Sequence, residues 1–317
     1  MASKALAPDV LFEHVQDAPY FHLPRWFAPE HDGHLMLPQP LAKFKLDAAG
    51  HVVTDHHGMP TYEPLWAPNT GMEFLDSVIE PLELMLTKFM VLELVAAIGM
   101  VVVFGLLALK LKGGAAPRGI LPNLVETMLL FIRDKVARPA IGHDADKFLP
   151  FLWTMFFFVL SCNLLGMIPW LGSPTGALAT TGALAFLTFA IVVSSGISQF
   201  GVVGFLKAQV PHMDLPKPIA VFLLPMVFLI EIFGLFVKHF VLAVRLLANM
   251  MAGHVVLAVI VGFIGATAGM LIWYAVTPAS IMGAVLLSML ELFVAFLQAY
   301  IFTFLSALFI GAAVHSH

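Results

Sequence analysis

Residues 219–276 read IAVFLLPMVFLIEIFGLFVKHFVLAVRLLANMMAGHVVLAVIVGFIGATAGMLIWYAV. These 58 positions hold three formal charges, Glu231, Lys238 and Arg245, and two histidines, His239 and His254. At 1.5 Å per residue a helix of that length extends roughly 87 Å, about three bilayer cores. Few turn signals occur before Thr277-Pro278. The stretch is therefore either two packed spans or one very long, strongly tilted helix.

The rest of the chain supports a membrane setting. Of 317 residues, 60% are hydrophobic and 11% charged, where a soluble domain carries roughly 25% charge. Cys162 is the single cysteine, which excludes an intrachain disulfide framework. Sixteen Lys and Arg stand against 20 acids, net −4, with no basic run to neutralise phosphates. Nucleic acid is thus an unsuitable partner, and membrane lipid the expected one.

Working outward from 219–276, a final apolar helix is expected at about 279–312, with Glu291 its one charge. Upstream, the 59 residues between Lys147 and Lys207 contain no Asp, Glu, Lys or Arg, room for two spans. Gly172-Ser173-Pro174-Thr175-Gly176 divides them into about 148–170 and 178–205. Phe89–Leu109 is another span, apolar except for Glu93. Residues 110–147 form a polar, amphipathic connection. Residues 1–80 differ in kind: seven of the 13 histidines (His14, His22, His31, His34, His51, His56, His57) lie there with many prolines. Short helices and loops at or outside one membrane face are expected for them, and a membrane-embedded domain for 81–317. The start lacks the apolar core of a signal peptide.

Charge bias sets the orientation. Connection 110–147 holds seven Lys and Arg, and 207–218 holds two. The turns at 171–177 and 273–279 hold none and are flanked by Trp170, Trp273 and Tyr274. The first pair is expected in the cytoplasm together with the C-terminus, and the N-terminal region outside.

An ionisable residue in an apolar helix costs about 2.5–3.5 kcal/mol on insertion scales. Glu231, Lys238 and Arg245 recur every seven residues, within roughly 40° on one helix face. Asn249 lies on the same side, and His254, nine beyond Arg245, near the opposite face. Glu291 and Gln298 share a face of the last helix. One explanation is an ion-pair stripe gluing helices together, with Lys238 snorkelling. The other is an ion path. Arginine does not deprotonate in proteins, so Arg245 is a fixed cation. His254 and Glu291 can exchange protons, and Asn249 and Gln298 can orient water or neighbours.

Arg245-Leu-Leu-Ala-Asn249-Met-Met-Ala-Gly253-His254 resembles the signature helix of the F-type ATP synthase subunit a family. Cys162-Asn163-Leu-Leu-Gly-Met-Ile-Pro169 resembles the family's segment closing an earlier span. Glu291 to Phe302, with Gln298 on the family glutamine, resembles its last helix. Pro225 and Glu231 before Lys238 resemble the start of the arginine helix. The resemblance covers about 85–315. It departs from many bacterial members in having His254 and Glu291 where those carry a carboxylate and a histidine. The exchange is similar to that in mitochondrial members, and the retained pair suits two groups meeting across the helices. Gly166 stands where some members carry an acid, so no proton role falls to it.

The resemblance implies an all-α membrane protein of about five to six membrane helices. Two long tilted helices, about 219–276 and 279–312, would form a hairpin against a rotor ring. It implies a non-catalytic stator subunit that needs no cofactor and no metal, with ATP made in other subunits. Its partners would be the c-ring, the peripheral stalk subunit b and the whole synthase. Protons would enter through an outer half-channel around Asn249, His254, Glu291 and Gln298. They would neutralise a ring carboxylate, ride the ring, and leave through an inner half-channel. Arg245 would be the essential gate, with Glu231, Lys238 and Asn163 as supporting polar groups. The membrane would be a bacterial inner membrane, or a mitochondrial inner one on the His/Glu order.

Two other classes make different demands. A membrane metal enzyme would use His31-Asp-Gly-His34 and Asp55-His56-His57, which are loose ligand spacings in the polar N-terminal segment. A stand-alone transporter would show paired halves with broken helices, and none is evident.

Overall fold

A computed structural model describes residues 17–22, 34–39, 45–46, 52–54, 62, 86–111, 119–168, 171–208 and 217–315. Two compact units emerge, one from Asp17 to Val91 and one from Leu92 onward.

In the first unit, strands β1 (Tyr20–His22) and β2 (His34–Met36) pair antiparallel, with Phe21 opposite Leu35 and His22 opposite His34. Leu46 and Val52 form a further bridge. The short helices expected before residue 80 are therefore replaced, among the described residues, by extended pairs. Aromatic and branched side chains at Tyr20, Phe21 and Leu35 favour that backbone. The unit also caps the first long helix. Asp17 Oδ1 accepts from the Phe89 N–H at 3.3 Å, and Gln39 exchanges two 2.8 Å bonds with the Leu86 backbone. A carboxylate there meets the positive end of the helix dipole. His14, His31, His51, His56, His57 and Asp55 lie outside the described residues.

The second unit is all-helical. The helices are α1 (Lys88–Leu111, begun in the first unit), α2 (Ile120–Phe131), α3 (Arg138–Ile141), α4 (Ala145–Gly166), α5 (Leu178–Ala208), α6 (Lys217–Ala266) and α7 (Trp273–Val314). Among the described residues, five helical stretches are long and apolar enough to cross a membrane. Helices suit lipid because each closes its own backbone hydrogen bonds. Hydroxyls inside them follow the same rule. Thr188, Thr303 and Ser306 each donate to the carbonyl four residues back, at 2.8–3.0 Å.

The core lies along α7, which packs on α4, α5 and α6. Its buried stripe is small: Ala295, Ala299, Thr303 and Ala307, every fourth residue, all at 0% exposure. Small residues let helix backbones approach where lipid supplies no hydrophobic drive. At the far end a Cβ on Gly311 would overlap the Ala140 carbonyl, so α7 and α3 touch backbone to backbone.

Two boundaries differ from expectation. The break between the long helices is at Thr267–Ile272, not at Thr277-Pro278. Gly269 takes the left-handed φ of +85° that the turn needs. Pro278 sits inside α7, in its second turn, where it forgoes the bond to the Tyr274 carbonyl without ending the helix. The 219–276 stretch is thus one 50-residue helix, α6, followed by a turn and the first residues of α7.

The polar connection 110–147 is helical from Ile120 to Ile141, with a π-helical turn at Ile132–Ala137. The wide turn keeps Ile132, Val136, Ala137 and Ile141 inward at 0% exposure. Arg133 and Arg138 stay outside, both on Asp134 at 2.9 and 3.1 Å. The amphipathic connection is thus largely helical, with one buried face.

Candidate functional site

Helices α6 and α7 pack against each other. At their contact His254 Nδ1 lies 3.7 Å from Glu291 Oε1, with side chains 15% and 6% exposed. That separation is too long for a hydrogen bond. His254 Nε2 and Glu291 Oε1 are buried with no hydrogen-bond partner among the described residues. Two titratable groups therefore face each other in apolar surroundings with hydrogen-bonding capacity unused. A proton, or a water carrying one, would satisfy it.

Gly253 makes the approach possible. A Cβ there would lie 2.7 Å from Glu291 Oε1 and 3.2 Å from its Cδ. The sequence displays Gly253 beside His254 but not its neighbour across the helices, so its part was missed. Above the pair, a cavity of about 610 Å³ runs between the C-terminal part of α6 and the N-terminal part of α7. Val261, Ile264, Ser280, Ala284 and Ser288 line it. Ser288 is one turn before Glu291, so the cavity reaches almost to the pair.

Gln298, two turns beyond Glu291, is buried. Asn249 and Arg245 on α6 are half-buried. Among the described residues Arg245, Glu231 and Lys238 make no ion pair and no side-chain hydrogen bond. Glu231 is half-buried and Lys238 exposed. The seven-residue stripe is thus not a ladder of salt bridges within this chain, and its charges remain available to something else.

Asn163 on α4 is different. It is fully buried, donates from Nδ2 to the Ala295 carbonyl at 3.1 Å and accepts from Thr175 Oγ1 at 2.7 Å. Ser173 completes the knot at 2.9 Å from Thr175. The knot ties the α4–α5 turn to α7 one turn from Glu291. A Cβ on Gly166 would clash with the Ser173 side chain, so glycine is needed there for packing.

A further buried polar group was not singled out from sequence as part of any site. His239 on α6 bonds the Leu235 carbonyl through Nδ1 at 2.8 Å, between the rings of Phe189 and Phe309. Among the described residues no group of three metal-ligating side chains converges.

The outer surfaces of the two long helices are strongly apolar. Leu229, Phe233, Phe236 and Phe240 on α6, and Met282, Leu286, Met289 and Phe293 on α7, are each more than half exposed. Such a surface is at home only in lipid or against another membrane helix.

The family described as "ATP synthase A chain" matches residues 89–311. ATP synthase subunit a of Chloroherpeton thalassium is 39% identical over 274 residues, 85% of this chain and 77% of that protein. ATP synthase subunit a of Myxococcus xanthus is 41% identical over 240 residues, 74% of this chain and 76% of that protein. ATP synthase subunit a 2 of Chlorobaculum tepidum is 42% identical over 241 residues, 74% of this chain and 65% of that protein.

Proposed function

The chain belongs to the ATP synthase A chain family, multi-pass membrane proteins with a general role as proton-channel stator, and from that premise we propose how its residues carry protons. The observation that supports the mechanism is the buried, under-bonded His254–Glu291 pair at the foot of a cavity.

Protons enter from the outer side through the cavity between α6 and α7. The pair takes up one proton, with Gln298 and Asn249 orienting it or its water. It then passes to a carboxylate on a ring of c subunits docked on the apolar faces of α6 and α7. The neutralised carboxylate can turn into lipid. After most of a revolution it loses its proton to an inner half-channel.

Arg245 is the gate. Opposite charge within about 4–6 Å lowers a carboxyl pKa, so the guanidinium keeps the passing carboxylate ionised. Being permanently charged, it also blocks direct proton flow between the half-channels. Each proton crossing 100 mV supplies about 2.3 kcal/mol. The chain itself makes no ATP. Torque passes to catalytic subunits of the synthase, held through a peripheral stalk that includes subunit b. Residues 1–80 form a separate outer region, the C-terminus lies in the cytoplasm, and the membrane is a bacterial inner membrane. Glu231, Lys238 and Asn163 support the path: the first two as charges beside the ring, the third by fixing α7.

Glu291→Gln in the assembled enzyme tests this. ATP-driven proton pumping should fall more than tenfold with assembly intact. Wild-type pumping would remove the pair from the path.

A further inference from the structure

Most hydroxyls inside this bundle are spent on the protein itself. Thr188, Thr303 and Ser306 donate to carbonyls four residues back, and Thr180 of α5 donates to Glu93 Oε1 of α1 at 2.6 Å. The first half of α7 departs from that rule. Ser280 is buried, yet its hydroxyl makes no hydrogen bond among the described residues. Ser288 donates to the Ala284 carbonyl at 2.9 Å, which leaves its oxygen free to accept.

These two serines and Glu291 form one line. Steps of eight and three residues keep positions 280, 288 and 291 within roughly 80° of one another round the helix. Ser280 and Ser288 face the cavity between α6 and α7, whose α6 wall consists of Val261 and Ile264. Water there must find its polar partners on α7, since each molecule needs two to four. A buried hydroxyl without a partner is costly, and a bound water relieves it. Ser280 and Ser288 stand about 12 Å apart along the axis, a gap that about three waters close at hydrogen-bonded spacing.

We infer that Ser280 and Ser288 hold a file of water along α7, and that Ser288 positions its last member on the Glu291 carboxylate. The inference rests on the reading of His254 and Glu291 as the proton-accepting pair, and it names the groups that deliver to that pair. The proton of Ser288 lies on the Ala284 carbonyl, so its oxygen accepts one O–H of the last water and leaves the other for Glu291. A proton given to the carboxylate is replaced from the next water in the file. Ser288 is thus a positioning residue, acting through water.

ATP-driven pumping by the assembled enzyme in proteoliposomes, whose lumen corresponds to the outer face, tests the file. Ser288→Ala should lower pumping severalfold, and Ser288→Thr, which keeps the hydroxyl, should restore most of it. Silver ions travel with water and bind thiolates. Loaded into the lumen, they should block Ser280→Cys and Ser288→Cys. They should spare the wild type, whose Cys162 is fully buried, and Leu290→Cys, at a position more than half exposed on another face of α7. A serine that served packing alone would not give a thiol within reach of water from that side. Wild-type pumping by Ser288→Ala, or silver resistance of Ser288→Cys, would overturn the inference. Where Ser288→Ala fails to assemble, the silver result on Ser288→Cys decides. Silver resistance of Ser288→Cys beside an inactive Glu291→Gln would remove the water file and leave the pair, whereas full pumping by Glu291→Gln would remove the pair itself.

Discussion

Two buried polar clusters lie one turn apart along α7, and they are built in opposite ways. Asn163, Ser173 and Thr175 are at most 1% exposed and joined by bonds of 2.7–3.1 Å that end on the Ala295 carbonyl. His254 and Glu291 are nearly as buried, yet stand 3.7 Å apart with two polar atoms unpartnered. A satisfied network fixes structure, and opening it costs stability. An under-satisfied pair holds hydrogen-bonding capacity in reserve at a stability cost, and can take up a proton or a water. On the proposed function, the contrast separates scaffold from machinery within a few ångströms.

The comparison can be broken by substitution. Within the two clusters the largest functional effect belongs to Glu291. Glu291→Gln keeps the shape and removes the titrating group, so pumping should drop more than tenfold while the thermal unfolding of the complex hardly moves. Gly253→Val comes next: the added carbons push the Glu291 carboxylate away, and pumping should fall severalfold with assembly retained.

Across the divide the effect changes kind. Asn163→Ala removes two buried hydrogen bonds, one to the Ala295 carbonyl and one from the Thr175 hydroxyl, which keeps Ser173 as a partner. Each lost bond costs about 0.5–1.5 kcal/mol, so the complex should unfold at a lower temperature or assemble poorly. Any mature complex should still pump. Thr180→Val is the smallest change. It removes one interhelical hydrogen bond to Glu93, worth about 0.6 kcal/mol in comparable membrane helices, and should shift stability slightly and pumping not at all. If Asn163→Ala abolished pumping at unchanged stability, the division into scaffold and machinery would fail.

Periodicity and charge made much of the architecture legible. The run 219–276 left either two packed spans or one unusually long helix, which the family resemblance favoured, and the charge-free run after Lys147 pointed to two spans. What escaped depended on partners distant in sequence. Asn163 meets Ala295 across 132 positions, and nothing local in either segment announces it. Gly253 gains its meaning only when α7 brings Glu291 against it. The helix break was misplaced because proline is the louder local signal, whereas Gly269 alone takes the positive φ that the turn requires. The residues of the candidate site could be named in advance because intramembrane charges are rare and costly. The meeting of His254 and Glu291 across the helices was legible too, in the exchange of their types, and the structure brings them to 3.7 Å.

Arg245 belongs to the unsatisfied side of the comparison, a half-buried cation with no ion pair among the described residues. The decisive measurement is ATP-driven proton pumping, with passive proton leak, in proteoliposomes holding the assembled Arg245→Ala enzyme. The account predicts a complete complex that hydrolyses ATP without building a gradient. Coupled pumping at the wild-type rate would contradict it.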